Sequence, residues 1–164
     1  GNRFNYKNAQ LLIKTIYKIK DINLVFIGGE LQSNNEKKLI NNLNLNSRIK
    51  FLKANDNELI AILKNSYSIC IPSKIEGFSL PLIEALYLDV PVIASNIKVH
   101  KEVAGKFAYL LDPKNHNEWS KFLSNTKIKK PSEILGKEEY LKTKKYYSYE
   151  RIVQEHINLY QKII

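Results

Sequence analysis

Residues 67–86 decide the fold of this chain, and they read YSICIPSKIEGFSLPLIEAL. The first five residues of this stretch, Tyr67–Ile71, form a short apolar run that predicts a buried β-strand. Pro72 and Ser73 then indicate a turn. Ser79 suits the N-cap of a helix and Pro81 suits its first turn. The stretch therefore predicts a strand, a turn and a helix in direct succession.

The same alternation of strands and helices continues along the rest of the chain. Short apolar runs predict strands at Asn23–Ile27, Ile49–Leu52, Tyr67–Ile71, Val90–Ala94 and Ala108–Leu111. Amphipathic spacing predicts helices at Ala9–Ile19, Asn35–Leu43 and Glu58–Lys64 (capped by Asp56), and helical segments over residues 115–164 with breaks at Pro131, Gly136 and near Ser148. The last helix is expected over residues 148–164. We expect one Rossmann-like, doubly wound α/β domain whose parallel sheet is covered on both faces.

Length and composition exclude several classes of protein. A chain of 164 residues with 44% hydrophobic residues can bury one core without disulfides. Charges interrupt the apolar runs well before the roughly 20 residues that a membrane-spanning helix needs. The single cysteine, Cys70, excludes an internal disulfide and a multi-cysteine zinc site, and we expect an inert buried thiol. The chain opens without a secretory signal, so we expect a cytoplasmic protein.

The net charge of +10 favours anionic partners. Residues 121–145 hold eight lysines and three glutamates, which is half of the excess charge. Such a run is typical of a solvated helix face, and the alternative is a patch that contacts the inner surface of a membrane. We do not expect a nucleic-acid partner, and the three histidines share no metal-ligand spacing, so no metal site is expected.

The predicted helix start beside Ser79 is suited to phosphate. Because the helix follows a strand, its N-terminus lies at the ligand-binding edge of the sheet, with free N–H groups and the positive end of the helix dipole. Gly77 would let the backbone approach a ligand closely. These features predict an anion site in the turn and the first turn of the helix.

Two acids flank this helix start. Glu84 is the only charged side chain between Leu80 and Leu88, so we expect it to be buried and to need partners. The hydroxyls of a ribose would serve, and so would a buried Lys or Arg or backbone amides. Glu76 is either an exposed turn acid or part of the same cleft. Two carboxylates also suit glycoside hydrolysis, but a helix start between them prefers an anion.

Residues 76–84 resemble the E-x7-E motif, in its form E-G-F-x-L-P-x-x-E, of retaining glycosyltransferases of family 4, which have the GT-B architecture. Further segments resemble the family in the same order along the chain: Gly1 with Lys7 and Asn8, Val90–Ser95, Glu102 with Gly105, Leu110–Pro113, and Tyr147–Glu150. The chain departs from the family pattern at Arg3, which comes one position late, and at Asp89, where the family often has glycine. The similarity covers essentially all 164 residues.

The resemblance implies a role for each matching residue. Glu84 would bind the ribose hydroxyls of a nucleotide-sugar, and Glu76 would contact the donor sugar. Lys7 and Arg3 would neutralise the diphosphate leaving group. The backbone of Gly77, Phe78, Ser79 and Leu80 would approach the phosphates or the sugar.

The resemblance also implies a larger protein. The chain would be the nucleotide-sugar-binding, C-terminal half of a GT-B enzyme, without its first strand and without the N-terminal domain that binds the acceptor. The enzyme would move a sugar from a nucleotide diphosphate to a glycan or lipid-linked acceptor in polysaccharide biosynthesis, without a metal cofactor. The alternative is a non-catalytic nucleotide-binding regulatory module. We expect His100 at the surface, although it could line the cleft, and Trp119 in the core or at a domain interface.

Overall fold

The computed structural model describes residues 5–29, 32–125 and 127–163. The strands are β1 (Leu24–Ile27), β2 (Ile49–Leu52), β3 (Ile69–Ile71), β4 (Val92–Ser95) and β5 (Tyr109–Leu111). The helices are α1 (Ala9–Tyr17), α2 (Asn34–Asn42), α3 (Asp56–Lys64), α4 (Leu80–Leu88), α5 (Lys98–Ala104), α6 (His116–Asn125), α7 (Pro131–Leu135), α8 (Lys137–Tyr146) and α9 (Tyr149–Gln161), and a 3-10 turn covers Asn5–Lys7. The alternation of helices and strands, and the helix breaks at Pro131, Gly136 and Ser148, are confirmed.

All strand pairs are parallel, but they form two sheets and not the single sheet that we expected. The described strands pair as β1 with β2, and as β3 with β4 and β5 in that order. In the first sheet Leu24 is in register with Ile49, and in the second Ile69 is in register with Val92. No described strand lies between β1 and β3, which leaves these two edges in separate sheets.

The three-stranded sheet is covered on both faces, as a doubly wound fold requires. Side chains alternate along β4, so Ile93 points to one face and Val92 and Ala94 to the other. Ile93 packs in a cluster with α1 and Trp119, whereas Val92 and Ala94 pack with α4 and α5. Every residue of β4 is buried. The expected α/β class with a parallel, two-sided sheet is therefore confirmed, and Trp119 lies in the core, where it is fully buried.

Local signals set the helix starts, with two corrections. Asn55, and not Asp56, caps α3: its side chain accepts from the Glu58 amide, while the Glu58 carboxylate accepts from the Asn55 amide. Helix α5 was not predicted, because charged residues make up much of this short segment and its buried face, formed by His100, Val103 and Ala104, gives only a weak hydrophobic pattern. Asp89 adopts a left-handed conformation with φ of 53°, which glycine often supplies, and its carboxylate accepts bonds from Ser132 at the start of α7.

The C-terminal helices carry the lysine-rich run. Of its eight lysines, seven are exposed, and Lys144 is half-buried against the rings of Tyr87 and Tyr140. This arrangement fits the solvated helix face that the sequence favours. Helix α9 has no buried residue. None of the helices in the described parts of the chain is both long and apolar enough to cross a membrane.

Candidate functional site

The candidate site lies at the carboxyl end of β3, and the residues that the sequence analysis singled out lie around this edge of the sheet. The loop from Pro72 to Ser79 joins β3 to α4, and Ser73 in this loop is 2% exposed. Residues 5–8 lie against the same loop, since the Lys74 amide donates to the Tyr6 carbonyl over 2.6 Å. Two distant chain segments therefore meet at this edge of the sheet.

Lys7 and Glu76 form an ion pair at this junction. Lys7 Nζ lies 2.7 Å from Glu76 Oε1, and the Glu76 side chain is only 9% exposed, against 31% for that of Lys7. A carboxylate this sheltered needs a partner, because removing it from water unpaired costs several kcal/mol. The family resemblance implies that the two residues contact different parts of one ligand, and the structure places them in direct contact with each other.

Asn8, which follows Lys7, ties the start of α1 to the sheet edge, and the sequence analysis did not assign it this role. Asn8 has φ of 58°, the left-handed conformation that asparagine tolerates, and it occupies the N-cap of α1. Its Nδ2 donates to the carbonyls of Pro72 and Pro113 over 3.0 and 2.8 Å. These carbonyls follow β3 and β5, so one amide ties the start of α1 to the ends of two strands. In the sequence, only the family resemblance pointed to Asn8 as part of the site.

The start of α4 offers backbone donors. Ser79 is the N-cap with Pro81 in the first turn, as predicted, but Ser79 has φ of 77° and its buried Oγ has no hydrogen-bond partner among the described residues. The Leu82 amide bonds to the Ser79 carbonyl. Within residues 5–29, 32–125 and 127–163, the amides of Phe78, Ser79 and Leu80 donate to no backbone carbonyl. A helix start with free donors attracts anions.

Glu84 is exposed, which corrects the expectation of a buried acid. The buried face of α4 consists of Leu82, Ala85 and Leu86. Leu80 and Tyr87, four residues before and three after Glu84, share its helix face and are themselves 64% and 39% exposed. The apolar neighbours of Glu84 do not cover its side of the helix, so the prediction of burial is wrong.

Within the part of the chain that the structure describes, the Glu84 carboxylate has none of the structural partners that we considered. Its side chain forms no ion pair or hydrogen bond with any residue that the structure describes. Among the described residues, the alternative of a buried pair with Lys or Arg is therefore not found. Glu84 lines the same cavity as Lys7 and Glu76.

Gly77 and Phe78 lie on the open side of the loop. Both are exposed, and a Cβ built on Gly77 would meet no atom within 4 Å. The protein's own packing therefore does not demand glycine at this position. The Phe78 ring is 46% exposed and contacts the Tyr147 ring edge to face, with the two ring centroids 6.3 Å apart. The space beside Gly77 is open to an approaching ligand.

His100 is fully buried, contrary to the expected surface position. Its Nδ1 lies 2.9 Å from the Ser95 carbonyl, and its Nε2 has no partner among the described residues. Burial lowers the pKa of His100, although the Ser95 carbonyl and the Glu76 carboxylate act in the opposite direction. The imidazole is therefore neutral at pH 7, with the proton on Nδ1.

A cavity of about 630 Å³ joins these elements. The charged side chains that line it are Lys7, Glu76 and Glu84, and we call this end the mouth. The remainder, which we call the slot, runs between β1 and β3 and is lined mainly by apolar side chains. Arg3, the other predicted cation, lies outside the described residues. In the described part of the chain no cluster of three or more His, Cys, Asp or Glu side chains could hold a metal ion.

The fold is similar to that of glycosyltransferases, and comparison with known proteins shows the family. The profile of the family "Glycosyl transferases group 1" matches residues 1–130, so the chain belongs to this family. It is 30% identical over 128 residues to the O-antigen chain mannosyltransferase RfbU of Salmonella typhimurium, covering 76% of this chain and 36% of that protein. It is 32% identical over 114 residues to the MMP alpha-(1->4)-mannosyltransferase of Mycolicibacterium hassiacum, covering 66% and 28% respectively.

Solved structures share the fold over nearly the whole chain. Sucrose-phosphate synthase from Thermosynechococcus elongatus superposes with a TM-score of 0.81 at 23% identity, covering 99% of this chain and 44% of that one. Anabaena HepE in complex with UDP and glucose gives a TM-score of 0.81 at 16% identity, covering 99% and 47%. These similarities establish a GT-B glycosyltransferase fold. The chain spans about a third of the length of the curated relatives named above.

Proposed function

We propose that this chain is the donor-binding domain of a retaining glycosyltransferase of family 4 that acts in polysaccharide biosynthesis. One observation carries the proposal: a single cavity at the carboxyl edge of β3 is lined by Lys7, Glu76 and Glu84, next to the start of α4, whose first amides donate to no backbone carbonyl of the described residues. The cation and the amides suit a diphosphate, and the acids suit hydroxyl groups. A nucleotide-sugar combines these two kinds of group in one molecule.

The exposed Glu84 supports this assignment better than a buried Glu84 would. A carboxylate without a partner in the described part of the chain keeps its full hydrogen-bonding capacity for a ligand. Two vicinal ribose hydroxyls would each donate one charge-assisted hydrogen bond to it. The neighbouring Leu80 would offer an apolar contact surface on the same helix face.

The transfer reaction would depend on charge stabilisation at the mouth. When the bond between the sugar and the diphosphate breaks, negative charge develops on the leaving diphosphate. Lys7 and the amides of Ser79 and Leu80 would stabilise that charge where it forms. Glu76 would contact the sugar, whose new bond to the acceptor oxygen would form on the same face of the ring.

The partner of this domain would be the acceptor-binding half of the same enzyme. The relatives are about three times longer than the matched region, which supports a second domain in the complete protein. Because catalysis requires the acceptor to be held against the sugar, the isolated chain should be nearly inactive. The acceptor would be a glycan or a lipid-linked glycan, in keeping with the O-antigen mannosyltransferase named above.

Replacing Glu84 with glutamine tests the proposal. We expect Glu84→Gln to weaken binding of the preferred nucleoside diphosphate roughly 10- to 100-fold, because it removes charge-assisted hydrogen bonds worth about 1.5–3 kcal/mol. Calorimetric titrations of the chain with UDP, GDP, ADP and their sugar conjugates measure this. Glu139→Gln on α8 is the matched control, since Glu139 is also an exposed helical acid and lies away from the mouth.

Three results would contradict the proposal. Equal affinities of the Glu84→Gln and Glu139→Gln variants would show that Glu84 does not hold the nucleotide. A melting temperature that collapses only in Glu84→Gln would assign Glu84 a structural role. Binding of plain nucleotides without any contribution from the sugar would favour a regulatory nucleotide-binding module.

A further inference from the structure

Tyr147 contacts three parts of the molecule next to the candidate site. It caps the end of α8, and the residue after it, Ser148, caps the start of α9. Its hydroxyl donates to the Val103 carbonyl of α5 over 3.0 Å. Its ring lies edge to face with the Phe78 ring in the loop before α4. Tyr147 therefore connects the C-terminal helices both to α5 and to this loop.

The second half of the loop before α4 depends on this contact. The first half is held by the contacts of Lys74 and Glu76 with residues 5–8. Beyond it, Gly77 has more conformational freedom than other residues, and a Cβ built there would meet no atom within 4 Å. The ring contact with Tyr147 follows directly after this glycine. It therefore restricts the loop at the point where the backbone itself is least restricted.

The backbone that follows Phe78 has an uncommon conformation. Ser79 has φ of 77°, which residues other than glycine rarely adopt and which persists only when the surrounding structure maintains it. The amides of Phe78 and Ser79 are also among those at the helix start that donate to no backbone carbonyl of the described residues. Whatever fixes the Phe78 side chain therefore helps to set the direction of these donors.

Tyr147 is itself well fixed. Its amide donates to the Thr143 carbonyl in the last turn of α8, and its ring packs with the cluster formed by α4, α5 and β4. The hydroxyl bond to Val103 holds the far end of the ring. An edge-to-face aromatic contact is directional, so a fixed Tyr147 ring favours one position of the Phe78 ring.

We propose that Tyr147 is a positioning residue of the candidate site. Its ring holds Phe78, and through Phe78 it keeps the amides at the start of α4 in the arrangement that binds the diphosphate. This inference rests on the proposed function, which assigns those amides to the diphosphate. Donors that are already in place stabilise the charge of the ligand without the cost of reorganising the loop.

Replacing Tyr147 with leucine tests the inference. We expect Tyr147→Leu to weaken binding of the preferred nucleoside diphosphate about 3- to 10-fold, which corresponds to the loss of one aromatic pair. Tyr147→Phe removes the hydroxyl and keeps the ring, so its affinity should stay within about twofold of the wild type. Calorimetric titrations well below the melting temperature of every variant measure both effects.

Tyr140→Leu is the matched control. Tyr140 lies two turns earlier on α8, packs in the same cluster as Tyr147, and donates its hydroxyl to the Leu86 carbonyl over 3.0 Å. In the described part of the chain its ring forms no aromatic pair with Phe78. The two leucine variants should lower the melting temperature to a similar extent, but Tyr140→Leu should bind the nucleoside diphosphate as the wild type does.

A second readout needs no nucleotide. Backbone ¹⁵N relaxation gives the order parameters of the Phe78 and Ser79 amides, which are about 0.85 in a rigid backbone and below about 0.6 in a flexible one. We expect these two order parameters to fall toward the flexible range in Tyr147→Leu. They should stay at the wild-type values in Tyr147→Phe and in Tyr140→Leu.

Three outcomes would overturn the inference. The first is equal affinity of Tyr147→Leu and Tyr140→Leu for the nucleoside diphosphate. The second is order parameters at Phe78 and Ser79 that do not change in Tyr147→Leu. The third is an equal loss of affinity in Tyr147→Phe and Tyr147→Leu, which would assign the effect to the hydroxyl bond with Val103 and not to the ring.

Failure of this inference is distinguishable from failure of the proposed function. If Glu84→Gln weakens nucleotide binding and Tyr147→Leu does not, the inference fails and the proposed function stands. If the wild-type chain binds none of the nucleoside diphosphates, the proposed function fails. The order parameters then decide by themselves whether Tyr147 positions the loop.

Discussion

Replacing Lys7 with methionine is expected to weaken binding of a nucleoside diphosphate and of its sugar conjugate alike, each roughly 10- to 100-fold. The reason is that Lys7 would contact the diphosphate, which both ligands carry, through charge-assisted hydrogen bonds worth about 1.5–3 kcal/mol. In the complete enzyme, loss of this cation from the leaving group should lower kcat about 10²–10³-fold. Calorimetry on the chain and turnover by the complete enzyme measure the two effects.

Glu76→Gln serves as the matched comparison, because it neutralises the other half of the same ion pair. If Glu76 contacts the sugar, this variant should weaken the sugar conjugate selectively and leave the affinity for the plain diphosphate unchanged or higher. The double variant, Lys7→Met with Glu76→Gln, distinguishes an effect on ligand binding from an effect on the stability of the fold. It removes both charges, so it leaves no unpaired carboxylate in a site where the Glu76 side chain is only 9% exposed.

The outcomes of this series are distinct. The assigned roles are supported if Lys7→Met weakens binding of both the nucleoside diphosphate and its sugar conjugate, whereas Glu76→Gln weakens binding of the sugar conjugate alone. Wild-type diphosphate affinity in Lys7→Met would contradict the role of the lysine. Equal weakening of the diphosphate by Glu76→Gln would mean that the ion pair acts as a structural unit and not as two ligand contacts.

Trp119→Ala is expected to lower the free energy of unfolding by about 3–5 kcal/mol, a large share of the 5–15 kcal/mol typical of a domain. Trp119 is fully buried in the cluster between α1 and α6, and its Nε1 donates to the Asp112 carbonyl over 2.9 Å. The alanine variant loses this burial and leaves a cavity. Urea unfolding measures the change. It is followed by far-UV circular dichroism, because Trp119 is the only tryptophan and its replacement removes the tryptophan fluorescence signal.

Trp119→Phe provides the control for this prediction. This variant retains an aromatic ring in the core but removes the hydrogen bond to the Asp112 carbonyl. Asp112 is exposed, so water can replace the lost donor. We therefore expect the free energy of unfolding to fall by about 1 kcal/mol for the hydrogen bond, with a further decrease because the ring is smaller. A Trp119→Ala effect below about 1 kcal/mol would contradict the packing described for this cluster. Because α1 follows directly after Lys7 and Asn8, the alanine variant should also reduce nucleotide affinity through the site's supporting helix.

The sequence predicted the elements well where local signals were strong. Apolar runs such as Ile49–Leu52 and helix breaks such as Pro131 act within a few residues, so they can be recognised without tertiary information. Helix α5 was missed because Lys98, Lys101 and Glu102 dominate its composition, although His100, Val103 and Ala104 have the spacing of a buried helical face. The same misreading placed His100 at the surface.

The environment of a side chain was harder to predict than its position. Glu84 lies on α4 where the motif placed it, but its exposure depends on what covers that helix face, and no local pattern specifies this. The direct contact between Lys7 and Glu76 joins residues that are 69 positions apart. The division into two sheets likewise depends on what lies between β1 and β3, a relation that strand signals alone do not contain.

The most direct test of the central claim is an NMR titration of the isotope-labelled chain with UDP, GDP and ADP in turn. We predict that at least one nucleotide shifts the backbone amide signals of Phe78, Ser79 and Leu80 most strongly, together with the side-chain signal of Glu84. These groups form the helix start and the free acid at the mouth of the cavity. Largest shifts around the separate cavity between α5 and α8, or no shift at millimolar concentrations of any of the three nucleotides, would contradict the account.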